Sequence, residues 1–195
     1  MAFCDELEFA FGWFDPDEKL RRTSHALADD SGGVWLVDPV ASPDAERRAA
    51  ELGEPRGVIQ LLDRHDRDGE ELARRLGVRY DRVPSSVDGA PFELLPVANL
   101  RFWREVALWW PERRTLVVGD ALGTLGYFRS RKEPIGVHPM MRLWPPRSLR
   151  RVFPEHVMCG HGRGVHENAA HALHEALRTA RRRLPAAVAN GIRSR

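Results

Sequence analysis

The chain has 195 residues, 43% of them hydrophobic and 30% charged, with 30 Lys and Arg against 28 Asp and Glu for a formal net charge of +2. This composition suits a soluble globular protein with one sizeable core, and the near balance of charge sets nucleic acid aside as a partner. No apolar run approaches the ~18 residues of a membrane span, the acidic start MAFCDELEF lacks the basic flank of a secretory signal, and Cys4 and Cys159 make neither a disulfide framework nor a CxxC zinc motif, so a cytoplasmic location is expected.

Val34-Trp35-Leu36-Val37 reads as a buried strand ending at Asp38-Pro39, after the turn Asp30-Ser31-Gly32-Gly33. Ser42 or Asp44 can cap a short helix over 45–52 that Gly53 stops. A second buried strand, 57–62, runs into Asp63-Arg64-His65-Asp66-Arg67-Asp68. A helix over 70–76 follows, with Gly77 in the C′ position, and then a strand over 78–83. This alternation implies parallel pairing with helices packed outside. Residues 102–110 and 115–118 flank Pro111-Glu112-Arg113-Arg114 as a hairpin. The stretch 123–146 reads as irregular surface chain, 147–152 as a helical turn or two, and 156–159 as a strand. Apolar Ala169, Leu173, Ala176, Leu177, Ala180 and Leu184 fall three or four apart, so a last helix is predicted over 167–184. The expected organisation is a single domain over 1–195, with 1–25 and 186–195 as peripheral ends, the second of them frayed.

Two strand ends stand out. Thr115 to Leu122 reads TLVVGDAL and Val157 to Gly162 reads VMCGHG. Each is an apolar run that stops at one polar residue set against glycine, the pattern of a buried strand delivering a side chain to a site. Glycine lets the backbone turn sharply there and lets other groups approach. A Gly-Asp and a Gly-His-Gly in this order, after a strand, a polar loop, a helix and a hairpin, resemble the metallo-β-lactamase fold over residues 26–184. The resemblance implies a mixed α/β protein, an αββα sandwich in a short single-domain version.

It also implies a set of positions. The family carries His-x-His-x-Asp-His after its second strand, because imidazoles and carboxylates on one rigid turn can converge on two adjacent zinc ions. In the register that matches best, Asp63 replaces the first histidine, His65 keeps the second, Arg67 replaces the aspartate and Asp68 the last histidine. Counting back from the hairpin, the family's next histidine falls near Arg101. Asp120 and His161 match the bridging aspartate and the final histidine. Arginine cannot lose its proton or ligate a metal. The resemblance therefore implies a degenerate site in a non-catalytic or vestigial member, without the dinuclear zinc centre and with no metal expected. In it Arg67 or Arg101 would pair with Asp63, Asp68 or Asp120. The alternative is a hydrolase of unspecified substrate with one zinc on His65, Asp120 and His161. Metal-free acid–base work by that trio lacks a nucleophile in the sequence. A small-molecule ligand fits either reading, and the loops 84–95 and 123–146 are the expected pocket walls. His166, His171 and His174 read as a solvated face of the last helix, and Cys159 as an inert thiol inside a strand.

Overall fold

Side chains alternate along a strand, and that alternation decides which layer each enters. In the computed structural model, which describes residues 1–65, 67–130 and 133–193, the strands β1 (Ala2–Leu7), β2 (Ala10–Phe14), β3 (Ser24–Ala28), β4 (Gly33–Val37), β5 (Glu54–Gln60) and β6 (Arg79–Arg82) form one sheet in that order. β1 to β4 are antiparallel neighbours, whereas β4, β5 and β6 run parallel, with Val37 opposite Ile59. Val34, Leu36 and Val58 face outward onto α1 (Pro43–Leu52) and α2 (Gly69–Leu76), where they meet Ala45, Ala49, Leu72 and Ala73. Trp35, Val37 and Ile59 face inward. The helices form where the residues dictate. The Ser42 hydroxyl accepts the Ala45 N–H at 3.4 Å with Pro43 in the first turn, and Gly77 closes α2 at φ 70°.

A second sheet contains β7 (Glu93–Leu100), β8 (Trp103–Trp110) and β9 (Thr115–Val118). β10 (Leu122–Gly123) pairs with β11 (Gly136–Val137) as a small separate ribbon, and β12 (His156–Cys159) completes the second sheet in the order β12-β9-β8-β7. β12 lies parallel to β9, with Cys159 opposite Val118. Leu116, Val118, Val157 and Cys159 pack on Leu173, Ala176 and Leu177 of α3 (Ala169–Thr179). Their alternates Val117 and Met158 join Leu108 and Trp110 against Trp35 and Ile59 of the first sheet. The layers run helices, sheet, sheet, helix, which is the αββα sandwich. Among the described residues no helix is long and apolar enough to cross a membrane.

Three expectations need correction. Residues 1–25 are not peripheral. β1 and β2 are outer strands of the first sheet, and Phe11 and Trp13 are buried because their rings pack with Val34 and Leu36 beneath α1. The helix predicted over 167–184 begins at Ala169 and ends at Thr179, and a second helix, α4 (Leu184–Arg193), occupies the tail expected to fray. The loop expected over 84–95 gives way at Glu93 to β7, which contains Pro96. An edge strand tolerates that proline, since one side of its ladder needs no donor.

Candidate metal centre

The parallel pairs β4–β5 and β9–β12 place four polar side chains at strand C-termini, where α/β folds hold their ligands. Asp38 follows β4, His65 follows β5, Asp120 follows β9 and His161 follows β12. The β9 and β12 ends come very close. A Cβ added at Gly160 would lie 2.7 Å from the Gly119 carbonyl oxygen, a backbone atom that cannot swing aside. Gly160→Ala is therefore expected to destabilise the protein by about 1–3 kcal/mol through overpacking, read as a lower urea midpoint; an unchanged midpoint would show that the two turns can separate freely.

Asp120 Oδ1 lies 2.9 Å from Nε2 of His65 and 2.9 Å from Nε2 of His161. One donor atom from each of the three residues falls within 4.8 Å of the others. The outer nitrogens are tied down. His65 Nδ1 donates to Asp38 Oδ2 at 2.9 Å, and His161 Nδ1 donates to the Leu20 carbonyl at 2.7 Å. Neither acceptor can donate, so each Nδ1 carries a proton and each Nε2 is aimed at Asp120 to take a proton or a metal. Asp38 is itself fixed. It sits at φ 46°, a strained conformation for a residue with a side chain, and its Oδ1 accepts the Leu61 N–H at 3.0 Å.

The electrostatics follow from these contacts. Burial opposes the charged ring of His65, but the Asp38 carboxylate and the bond to Asp120 outweigh it and hold the ring up at about 9. Burial pushes the Asp120 and Asp38 carboxyls up, and the facing imidazoles reverse this and leave both below the ordinary carboxylate range. Glu105 of β8 lies behind the site, fully buried, accepting the Ala121 N–H at 2.9 Å and the Trp103 indole N–H at 2.8 Å. Burial and then Asp120 raise it to about 7.

A pocket of about 800 Å³ opens over Asp120 and His161, walled by Lys19, Leu20, Arg21, Tyr127, Phe128 and His138. The wall comes from the N-terminal segment and from the 123–146 stretch; 84–95 does not line it. His138 accepts the Met140 N–H on Nδ1 at 3.2 Å, so its proton sits on Nε2, 3.5 Å from the Tyr127 hydroxyl. Burial keeps this ring neutral down to about 4.

Of the residues singled out in the sequence, the structure brings His65, Asp120 and His161 together and places Arg67 beside them. Arg67 pairs with no carboxylate among the described residues. Its guanidinium donates to the carbonyls of Thr23 (2.8 Å), Asp38 (2.8 Å) and Gly160 (3.3 Å), which the ends of three strands bring together; the Gly160 carbonyl also accepts the Thr23 N–H at 2.9 Å. Asp63 instead accepts the Arg104 N–H at 3.1 Å, with the Arg104 guanidinium at 3.6 Å. Asp68 accepts the Ala41 N–H at 2.8 Å at the start of α2. Arg101 lies exposed in the turn between β7 and β8. Asp66 falls outside the described residues. His166 lies ahead of α3 and bonds Asp5, and His174 bonds the Val152 carbonyl and stacks on Phe153. Cys159 is buried, and burial raises its thiol well above the ordinary range.

No family model matches this chain, and no curated protein matches it. Solved structures do. A DIM-1 metallo-β-lactamase exposed to ceftazidime shares 14% identity at a TM-score of 0.54, covering 92% of this chain and 97% of that one. The BLEG-1 B3 metallo-β-lactamase shares 14% at 0.53, over 79% and 93%. TTHA1623 in a di-iron-bound form shares 16% at 0.59, over 84% and 98%. Likeness at this identity carries the fold alone.

Proposed function

We propose that this chain, which has the metallo-β-lactamase fold, is a hydrolase that works with one divalent metal ion held by His65, Asp120 and His161. The observation that carries this reading is the tethering of both outer ring nitrogens, His65 Nδ1 to Asp38 and His161 Nδ1 to the Leu20 carbonyl. A hydrogen bond from the far nitrogen to a carboxylate or a carbonyl is how metal-binding histidines are oriented and made basic. Two imidazoles and one carboxylate match the donor count of a catalytic zinc site that keeps a position open. An ion on this donor set supplies Lewis-acid polarisation of a carbonyl or phosphoryl oxygen and activation of water.

The chain's own residues do the rest. Arg67 draws the Asp38 and Gly160 turns onto the Thr23 segment and so sets the spacing of the donors. His138 offers an Nε2 proton into the pocket from a ring that stays neutral. Lys19 and Arg21 stand on the pocket wall as cations. Asp63, Asp68 and Arg101 bring no donor to the site, so the reading has one ion rather than two.

A second reading is favoured by the 2.9 Å spacing of Asp120 Oδ1 from both Nε2 atoms, which is hydrogen-bond length. In it two ring protons and Arg67 replace the metal charge, and the site is vestigial. Elemental analysis of the purified protein separates the two. The expected result is about one equivalent of zinc, iron or manganese, lost in Asp120→Ala, with turnover of a simple ester or phosphodiester that disappears with the metal. Well under one equivalent, with a melting temperature indifferent to chelators, would overturn the hydrolase and leave the vestigial member.

A further inference from the structure

The net charge of +2 conceals a segregation. Between Glu133 and Glu155 the chain has no acidic residue but carries Arg142, Arg147, Arg150 and Arg151. After Glu175 it has none to the end of the sequence, and carries six more arginines. Ten of the thirty Lys and Arg thus lie in two acid-free stretches, and the remainder of the chain holds twenty bases against all 28 acids. The fold lays these two stretches side by side. The Arg181 guanidinium donates to the Leu143 carbonyl at 2.7 Å, and Arg142 donates to the Ala180 carbonyl at 3.4 Å.

The seam between them is a recess of about 540 Å³ whose charged lining is entirely arginine: Arg147, Arg150, Arg178 and Arg181. Arg178 is shared with Glu175. Arg147 and Arg150 are exposed and have no carboxylate partner among the described residues. On the lip stands Trp144, 75% exposed, an unusual position for an indole. Its backbone is held in a turn by the bond from its N–H to the Met141 carbonyl and is followed by the rigid pair Pro145-Pro146, so the ring is presented on a fixed support.

We infer that this seam is a binding groove for single-stranded nucleic acid, with phosphates on the arginines and a base stacked on Trp144. Four guanidinium groups on one recess, set against a net acidic remainder, form a local potential that favours a polyanion. An aromatic platform beside a cationic track is the arrangement that holds unpaired bases without reading their sequence. An acidic protein surface would use the same charge but gives the exposed ring no flat partner. The inference stands apart from the metal centre and does not depend on it.

The test is fluorescence anisotropy of labelled 12-nucleotide oligo-U and oligo-dT with the full chain. Three or four phosphate contacts give an affinity that falls about 20- to 50-fold between 50 and 200 mM salt. Reversing two exposed cations, Arg147→Glu with Arg150→Glu, is expected to weaken binding more than tenfold with the melting temperature unchanged. Trp144→Ala should weaken it about fivefold or more, and Asp120→Ala should leave it unaltered. Absence of binding at 50 mM salt overturns the inference, as does binding indifferent to the Arg147 and Arg150 reversal. Poly-glutamate competing as well as the oligonucleotides, with Trp144→Ala silent, overturns it in favour of an acidic protein partner.

Discussion

Stripped of metal, the protein is expected to lose about 3 kcal/mol of stability as pH rises from 6.5 to 9. His65 is buried between two carboxylates and titrates near 9 in the fold, against 6.5 when exposed. A group whose pKa is raised on folding binds more protons in the native state between those two values, so its stabilisation is complete below 6.5 and is lost as pH climbs through 9. A shift of that size is worth about 3 kcal/mol. Two other buried groups titrate nearby, and their signs oppose each other. Glu105, raised to about 7, loses stabilisation as pH climbs from 4.5 to 7. His138, lowered to about 4, gains it as pH climbs from 4 to 6.5. These two nearly cancel, and the contributions of Asp38 and Asp120, both depressed, are already complete above 3.8. The slope just above pH 6.5 therefore belongs to His65, and close to pH 9 the buried thiols of Cys4 and Cys159, both pushed up by burial, add a smaller loss of the same sign.

A bound metal flattens that slope. Ligation requires the His65 Nε2 lone pair, so ion and proton compete for one atom, and the stabilisation an ion brings grows as pH rises over the same interval. Urea midpoints measured at pH 6.5 and 9, with and without a chelator, fall with pH only in the chelated protein if His65 is a ligand. Parallel trends would show that His65 holds only a proton, and the vestigial reading would follow.

The halves of this site were legible in the sequence to different degrees. Gly119-Asp120 and Gly160-His161-Gly162 announced themselves because a strand buried on both faces is an unbroken apolar run, and a polar residue at its end has no structural excuse. The same rule applied to Leu-Val-Asp-Pro at 36–39 would have found Asp38, which was read only as a strand end. Its purpose depends on the loop after β5 bringing His65 back to the end of β4, a loop conformation that local pattern cannot fix. The Leu20 carbonyl that orients His161 has no side-chain signal at all, and it sits in the segment 1–25 expected to be peripheral. Charge alone suggests carboxylate partners for Arg67, whereas the carbonyls of Thr23, Asp38 and Gly160 hold it. Counting back from the hairpin points to Arg101, and the structure puts that position in an exposed turn between β7 and β8.

The largest single-residue effect on stability is expected at Arg142. Its side chain is wholly buried. The guanidinium donates to Glu133 at 2.7 Å and to the Phe128 carbonyl at 2.7 Å. Glu133 also accepts the Ser130 N–H at 2.6 Å. This cluster pins the segment carrying Tyr127 and Phe128, which walls the pocket, and the Phe128 ring lies 5.5 Å from the His161 ring. Arg142→Met leaves the Glu133 carboxylate in the interior with Arg183, 3.6 Å away, as its cation among the described residues. Breaking one side of a buried pair costs about 3–5 kcal/mol, because the remaining charge is desolvated without its partner. Replacing both partners removes that penalty, so Arg142→Met with Glu133→Leu is expected to recover part of the loss. The Phe128 and Ala180 carbonyls stay without a donor in either variant, and each such group is worth about 1–3 kcal/mol, so recovery falls short of complete. Urea unfolding of the three proteins measures the cycle. A single variant within about 1 kcal/mol of the parent would mean that water or Arg183 reaches Glu133, and that the pocket wall rests on packing rather than on this ion pair.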